Sequence, residues 1–188
     1  MKTVSVIALA GLAAAATAGT NINLNFAADS SVVGVGDTII WTVSASFSGV
    51  STSGYFGGFV GDFLANDNGL GVVGAWASNM AGNATTPEGG IDASLRNLNI
   101  FNSSLLGTDD QANPYILGTF ETMTTAEGIL SYTGDGTVSL FGDDGIFTLP
   151  DEYSGTAISS SDSVSIVPAP GAMALLGLGG FVATRRRR

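Results

Sequence analysis

Residues 39 to 48 constrain the fold more than any other part of the chain. Ile39, Trp41, Val43, Ala45 and Phe47 alternate with Ile40, Thr42, Ser44, Ser46 and Ser48. A period of two puts one set on each face of a β-strand, and one of those faces is heavily apolar. A strand of that kind is not stable alone. It needs sheet neighbours and a second layer to cover Trp41 and Phe47.

The rest of the chain supplies neighbours of the same kind. Ile22, Leu24 and Phe26 alternate with Asn21, Asn23 and Asn25, and Gly34-Val35-Gly36-Asp37 provides a turn, so an antiparallel pair is expected here. From Tyr55 to Leu64, simple alternation puts Tyr55, Phe59 and Phe63 on one face and Phe56, Val60 and Leu64 on the other, with Gly57 and Gly61 leaving bare backbone beside the rings. Asn66-Asp67-Asn68-Gly69 reads as a polar turn, and Val72 to Ala77 as an apolar run containing Trp76. Residues 79 to 90 read as a surface loop. Ile91, Leu95 and Leu98 have helical spacing, while Leu98 and Ile100 alternate with Asn97 and Asn99; a short helical turn leading into a strand satisfies both patterns.

Further strands are expected at Tyr115 to Met123, Gly128 to Tyr132, Thr137 to Phe141, Ile146 to Leu149 and Ala157 to Val167. Short strands, turn signals about every ten residues and no sustained amphipathic helix point to an all-β domain. The expected architecture is an antiparallel β-sandwich of Ig-like, cohesin-like or jelly-roll connectivity.

Both ends differ from this body. Lys2 precedes a short apolar stretch from Val4 to Ala16, and Ala16-Thr17-Ala18 has the small-x-small form that signal peptidase accepts, so residues 1–18 read as a signal helix removed on export. At the other end, Val167-Pro168-Ala169-Pro170-Gly171 precedes an apolar run to Thr184 and then Arg185, Arg186, Arg187 and Arg188. The prolines end the β-domain, because they fix φ and donate no hydrogen bond. As a helix, Ala169 to Thr184 would measure about 24 Å, enough to cross a thinned bilayer with its arginines at the cytoplasmic headgroups. A domain at residues 19–167 would then lie outside the inner membrane, with residues 168–188 as its transient tether.

The Pro-x-Pro turn, the small-residue apolar helix and the terminal arginine cluster resemble the PEP-CTERM tails of exported bacterial proteins. Pro168-Ala169-Pro170 is a variant of that family's Pro-Glu-Pro. The strings GDTIIWTVSASFSG (Gly36 to Gly49), YFGGFVGDF (Tyr55 to Phe63) and GDDGIFTLPDE (Gly142 to Glu152) are similar to bodies borne by such proteins. The resemblance implies sorting by an exosortase-like processing enzyme and delivery to the cell surface or to extracellular polysaccharide. It names no biochemical activity.

Charge and composition narrow the chemistry. Within residues 19–167, Arg96 alone opposes all 16 carboxylates, a net charge of −15. Such a domain repels nucleic acid and attracts cations. The chain has no cysteine and no histidine, so disulfides, thiol nucleophiles, Ser-His-Asp triads and nitrogen- or sulfur-ligated metals are excluded. Three acidic groups remain: Asp62 with Asn66, Asp67 and Asn68; Asp109 with Asp110; and Asp143, Asp144, Asp151 and Glu152. Each is either a solvated turn or a set of oxygen ligands for calcium, and the last flanks a short strand with four carboxylates. The expected function is a non-catalytic exported surface or matrix protein. The alternative is a calcium-dependent carbohydrate-binding module whose Trp41, Trp76 or Tyr55 to Phe63 aromatics stack on sugars.

Overall fold

The alternation that begins at Ile39 becomes one long strand. The computed structural model describes residues 21–48, 55–79, 89–101, 114–141 and 152–169. In it β3 (Thr38–Ser48) buries Ile39, Trp41, Val43, Ala45 and Phe47 and turns its Thr and Ser side chains outward. β1 (Asn21–Ala28) pairs antiparallel along β3, with Leu24 opposite Ala45 and Phe26 opposite Val43, so the apolar sets of both strands share one face.

The remaining strands are β2 (Val32–Gly34), β4 (Tyr55–Ala65), β5 (Gly71–Ser78), β6 (Leu95–Phe101), β7 (Tyr115–Thr124), β8 (Gly128–Leu130), β9 (Tyr132–Phe141), β10 (Glu152–Thr156), β11 (Ile158–Ser161) and β12 (Val164–Val167). A five-stranded sheet has the order β11-β1-β3-β7-β5, a four-stranded sheet β10-β9-β4-β6, and a small sheet β2-β12-β8. One continuous core joins them, including Phe26 and Trp41 from the first sheet and Phe56, Phe59 and Phe63 from the second. The described residues are all-β, as the patterning requires.

Two pairings depart from the antiparallel expectation. β11 runs parallel to β1 and β12 runs parallel to β2. The last strands of the domain therefore follow the first ones, which places Asn21 and Val167 at opposite ends of the sandwich. The strands flanking residues 49–54, 102–113 and 142–151 all finish at the Asn21 end, as the pairs Asn21 with Ser48, Tyr55 with Phe141 and Glu152 with Phe141 show.

Local departures from simple alternation have physical causes. In β4 the register shifts between Phe56 and Gly58, which makes Gly57 a bulge and brings Phe56 onto the same buried side as Phe59 and Phe63, while Val60 is 58% exposed. The helical turn expected near Ile91 is a series of bends, because Val73 N–H donates to the Asp92 carbonyl and Gly90 N–H to the Val73 carbonyl, tying this segment to the edge of β5. The run Gly128 to Tyr132 is divided at Ser131 between β8 and β9. Asn66 holds this break: its backbone N–H donates to the Ser131 carbonyl, its amide oxygen accepts from Ser131 N–H at 2.9 Å, and its amide nitrogen donates to the Ile129 carbonyl at 2.8 Å. Likewise Ala157 to Val167 is interrupted at Asp162, whose carboxylate accepts from Ala28 N–H at 3.0 Å. The expected strand at Ile146 to Leu149 lies outside the described residues.

Candidate functional site

The fold sends the side chains of the group Asp62, Asn66, Asp67 and Asn68 to separate partners. Asp67 caps a 3-10 turn over Asn68–Leu70 by accepting from Gly69 N–H at 2.8 Å. Asp62 reaches the other way and accepts from the N–H of Asn97, which has a φ of 58° at a bulge in β6. Asn68 accepts from the Ser94 hydroxyl, and Asn66 serves the β8–β9 break. Asp29 and Asp37 also accept backbone N–H groups, from Ile40 and Gly34 respectively. A carboxylate accepting a backbone donor stabilises a corner the ladder cannot satisfy, as at a helix cap. Among the described residues, no three His, Cys, Asp or Glu side chains come together as a metal-binding group.

Asp143, Asp144 and Asp151 lie outside the described residues, as do Asp109 and Asp110; Glu152 opens β10. Of the tail motif, Val167 ends β12 and its carbonyl accepts from Val35 N–H at 3.0 Å, while Pro168 and Ala169 follow without strand pairing. Pro170, Gly171 and Arg185 to Arg188 lie outside the described residues. No helix among the described residues is long and apolar enough to cross a membrane.

Four of the aromatics expected to stack on sugars are core residues. Trp41, Phe56, Phe59 and Phe63 have no solvent exposure. Trp76 is partly buried against Phe63 at 5.6 Å and Phe120 at 6.4 Å. A fully buried ring offers a sugar no face, so Trp41, Phe56, Phe59 and Phe63 bind sheet to sheet.

Asp92 and Arg96 form the salt bridge of the described residues, at 2.9 Å. The Arg96 hydrogen bond holds the Asp92 carboxyl below its ordinary value against the opposing effect of burial, with a further lowering from Ser94 N–H. Deeper in, Tyr132 donates to the Ala93 carbonyl at 2.7 Å and shares a 2.8 Å hydrogen bond with Thr122. Burial pushes the Tyr132 phenol far above its ordinary value. The unfolded chain ionises this phenol near about pH 10, whereas the folded protein keeps it protonated, so the folded state binds more protons and stability falls as pH rises. Thermal melts should lose about 1 kcal/mol of stability per pH unit above that point from this group. Tyr132→Phe should flatten the alkaline limb while lowering stability at neutral pH by about 1–3 kcal/mol, since it leaves the buried Ala93 carbonyl without its donor.

The two sheets differ in charge. The five strands of the larger sheet carry one charged residue, Glu121, whereas every strand of the smaller sheet carries one: Asp62, Arg96, Asp135 and Glu152. Sequence alternation had marked the Ser and Thr of β3 as outward, but only the strand order shows that Asn23, Asn25, Ser44, Ser46 and Thr119 are neighbours on one surface.

The architecture is that of cohesin modules, one of the three connectivities compatible with the sequence. The second type II cohesin module of the cellulosomal adaptor ScaA scaffoldin from Acetivibrio cellulolyticus matches with a TM-score of 0.54 at 12% identity, covering 79% of this chain and 98% of that one. A type II cohesin–X-dockerin complex from the same organism gives 0.53 at 13% identity over 79% and 100%. A type I cohesin–dockerin complex from Clostridium thermocellum gives 0.51 at 14% identity over 77% and 99%. At such identities the likeness is one of fold. No family model and no curated protein matches the chain.

Proposed function

We propose that this chain is an exported, non-catalytic surface module, delivered by its C-terminal tail to the cell surface or to extracellular polysaccharide. The observation that carries the proposal is strand direction: Asn21 and Val167 lie at opposite ends, so a chain tethered after Val167 presents the Asn21 end away from its tether. A module with a cohesin-like fold supports the reading, because the similar structures are a scaffoldin module and cohesins in complex with dockerins, which act by binding and not by turnover. Among the described residues, Asp62 and Asp67 are used at backbone corners and Trp41, Phe56, Phe59 and Phe63 in the core.

Signal peptidase removes residues 1–18, and an exosortase-like enzyme acts at the Pro168-Ala169-Pro170 turn while the arginines hold the tail at the cytoplasmic face. Intact mass of the surface form should therefore begin at Gly19 and end by about Pro170. Arg185, Arg186, Arg187 and Arg188 changed to Gln should lower the surface-delivered fraction severalfold, as read by protease shaving of whole cells. Surface protein that still carries Arg188 would refute tail processing and leave a permanent anchor.

A further inference from the structure

We infer that the outer face of the five-stranded sheet is a docking surface for an uncharged, hydroxyl-rich polysaccharide. The inference rests on the reading of the chain as an exported surface module and adds to it the face and the class of partner.

The first ground is the distribution of charge. In a domain of net charge −15, five adjacent strands carry Glu121 as their one charged residue. The smaller sheet of the same sandwich sets Asp62 directly opposite Asp135. Exposed sheet faces are ordinarily kept soluble by charge, so a wide face whose one charge is Glu121, opposite Ile40, is a departure in a strongly acidic domain that a partner explains.

The second ground is the chemistry of what replaces the charges. Asn23 lies beside Ser46, Asn25 beside Ser44, and Thr42 beside both Ala27 and Thr119. Alternate residues stand about 6.8 Å apart along a strand and neighbouring strands about 4.8 Å apart, so these groups form a grid. Each hydroxyl and each amide both donates and accepts hydrogen bonds, as sugar hydroxyls do. Ile40, Ile116 and Met123, 44%, 48% and 50% exposed, lie among them and offer small apolar surfaces to the C–H faces of sugar rings.

The charge balance selects among occupants. An anionic polymer is repelled by the domain as a whole, and a cationic one would seat on the carboxylate-bearing surfaces. A second copy of the chain would have to overcome the mutual repulsion of two such domains, and the apolar side chains here are interleaved with polar groups, unlike the apolar centre of a stable dimer. A neutral glycan meets neither obstacle.

The full-length protein in mild detergent should co-sediment with amorphous cellulose, used as the neutral probe, and not with calcium-free alginate beads, and raising salt from about 0.1 M to about 1 M should leave the cellulose-bound fraction unchanged. The triple change Asn25→Asp, Ser44→Asp and Thr119→Asp should reduce cellulose affinity about tenfold or more, because carboxylates lose hydration without gaining a partner. Thr133→Asp with Thr137→Asp, on exposed positions of β9, should leave it intact, and unchanged melting midpoints confirm that both variants fold. Failure of the native protein to bind cellulose overturns the inference. So does equal loss from both variants, and so does a concentration-dependent dimer in sedimentation that the triple change abolishes. Cellulose binding in a protein absent from the cell surface would refute the export reading and leave the docking face standing.

Discussion

Replacing Phe63 with alanine should lower the free energy of unfolding by about 4 kcal/mol. Its ring lies 5.0 Å from Phe26 edge-on, 5.2 Å from Phe59, 5.6 Å from Trp76 and 6.1 Å from Phe120. Phe26, Trp76 and Phe120 belong to three strands of the five-stranded sheet, and Phe59 and Phe63 to β4 of the other. Truncation therefore opens a cavity where the two layers meet, and the ladders on both sides resist collapse into it. Urea denaturation should show the midpoint falling with an unchanged slope. Phe56→Ala should cost nearly as much, and Val60→Ala less than about 0.5 kcal/mol. Simple alternation puts Phe56 and Val60 on one face and would make the two alike, so this pair tests the Gly57 bulge directly.

That bulge marks where the sequence stopped being legible. β1 and β3 could be read residue by residue, because each buries a complete period-two set and their partners lie across one short connection. β4 could be recognised as a strand but not faced correctly, since a bulge is fixed by what the partner strand needs at that point, and its partners there, Leu140 and Ser139, are far away in sequence. The divisions at Ser131 and Asp162 were hidden for the same reason. A Ser or Asp within an alternating run looks like a strand position until its partner, Asn66 or Ala28, is known.

The chemistry misled in a related way. Asp62, Asn66, Asp67 and Asn68 form a cluster in sequence, yet Asp62, Asn66 and Asp67 answer to different parts of the backbone and Asn68 to the Ser94 hydroxyl, because a polar side chain at a strand end is within reach of donors on every element that meets there. The acidic composition of the domain is thus partly structural. The sparsely charged face of the larger sheet had the opposite fate: its polar positions were plain in β1 and β3, but a surface exists only once strand order brings β1, β3 and β7 side by side.

The second large effect is expected at Gly136, where β9 and β4 run closest. Gly136 pairs with Gly61, and neither position has room for one more carbon. A Cβ on Gly136 would stand 2.3 Å from the Val60 carbonyl oxygen and 2.9 Å from Cε2 of Phe59, and a Cβ on Gly61 would stand 2.2 Å from the Asp135 carbonyl oxygen. These neighbours cannot swing aside as a flexible side chain would, because the oxygens belong to the central ladder of the sheet and the Phe59 ring is packed in the core. The strands must separate or the register must break, so Gly136→Ala should destabilise the protein by about 3 kcal/mol, at the upper end of overpacking costs. The melting midpoint should fall by about 6–12 °C, given about 2–4 °C per kcal/mol for a domain of this size. Gly74→Ala supplies the control, since its added carbon would meet Glu121 no closer than 3.6 Å, an ordinary contact. That change should be neutral or raise the midpoint slightly by restricting the unfolded chain. Equal midpoints for the Gly136 and Gly74 variants would mean that β4 and β9 do not approach as described, and the Phe59 ring would then have no reason to lie over bare backbone.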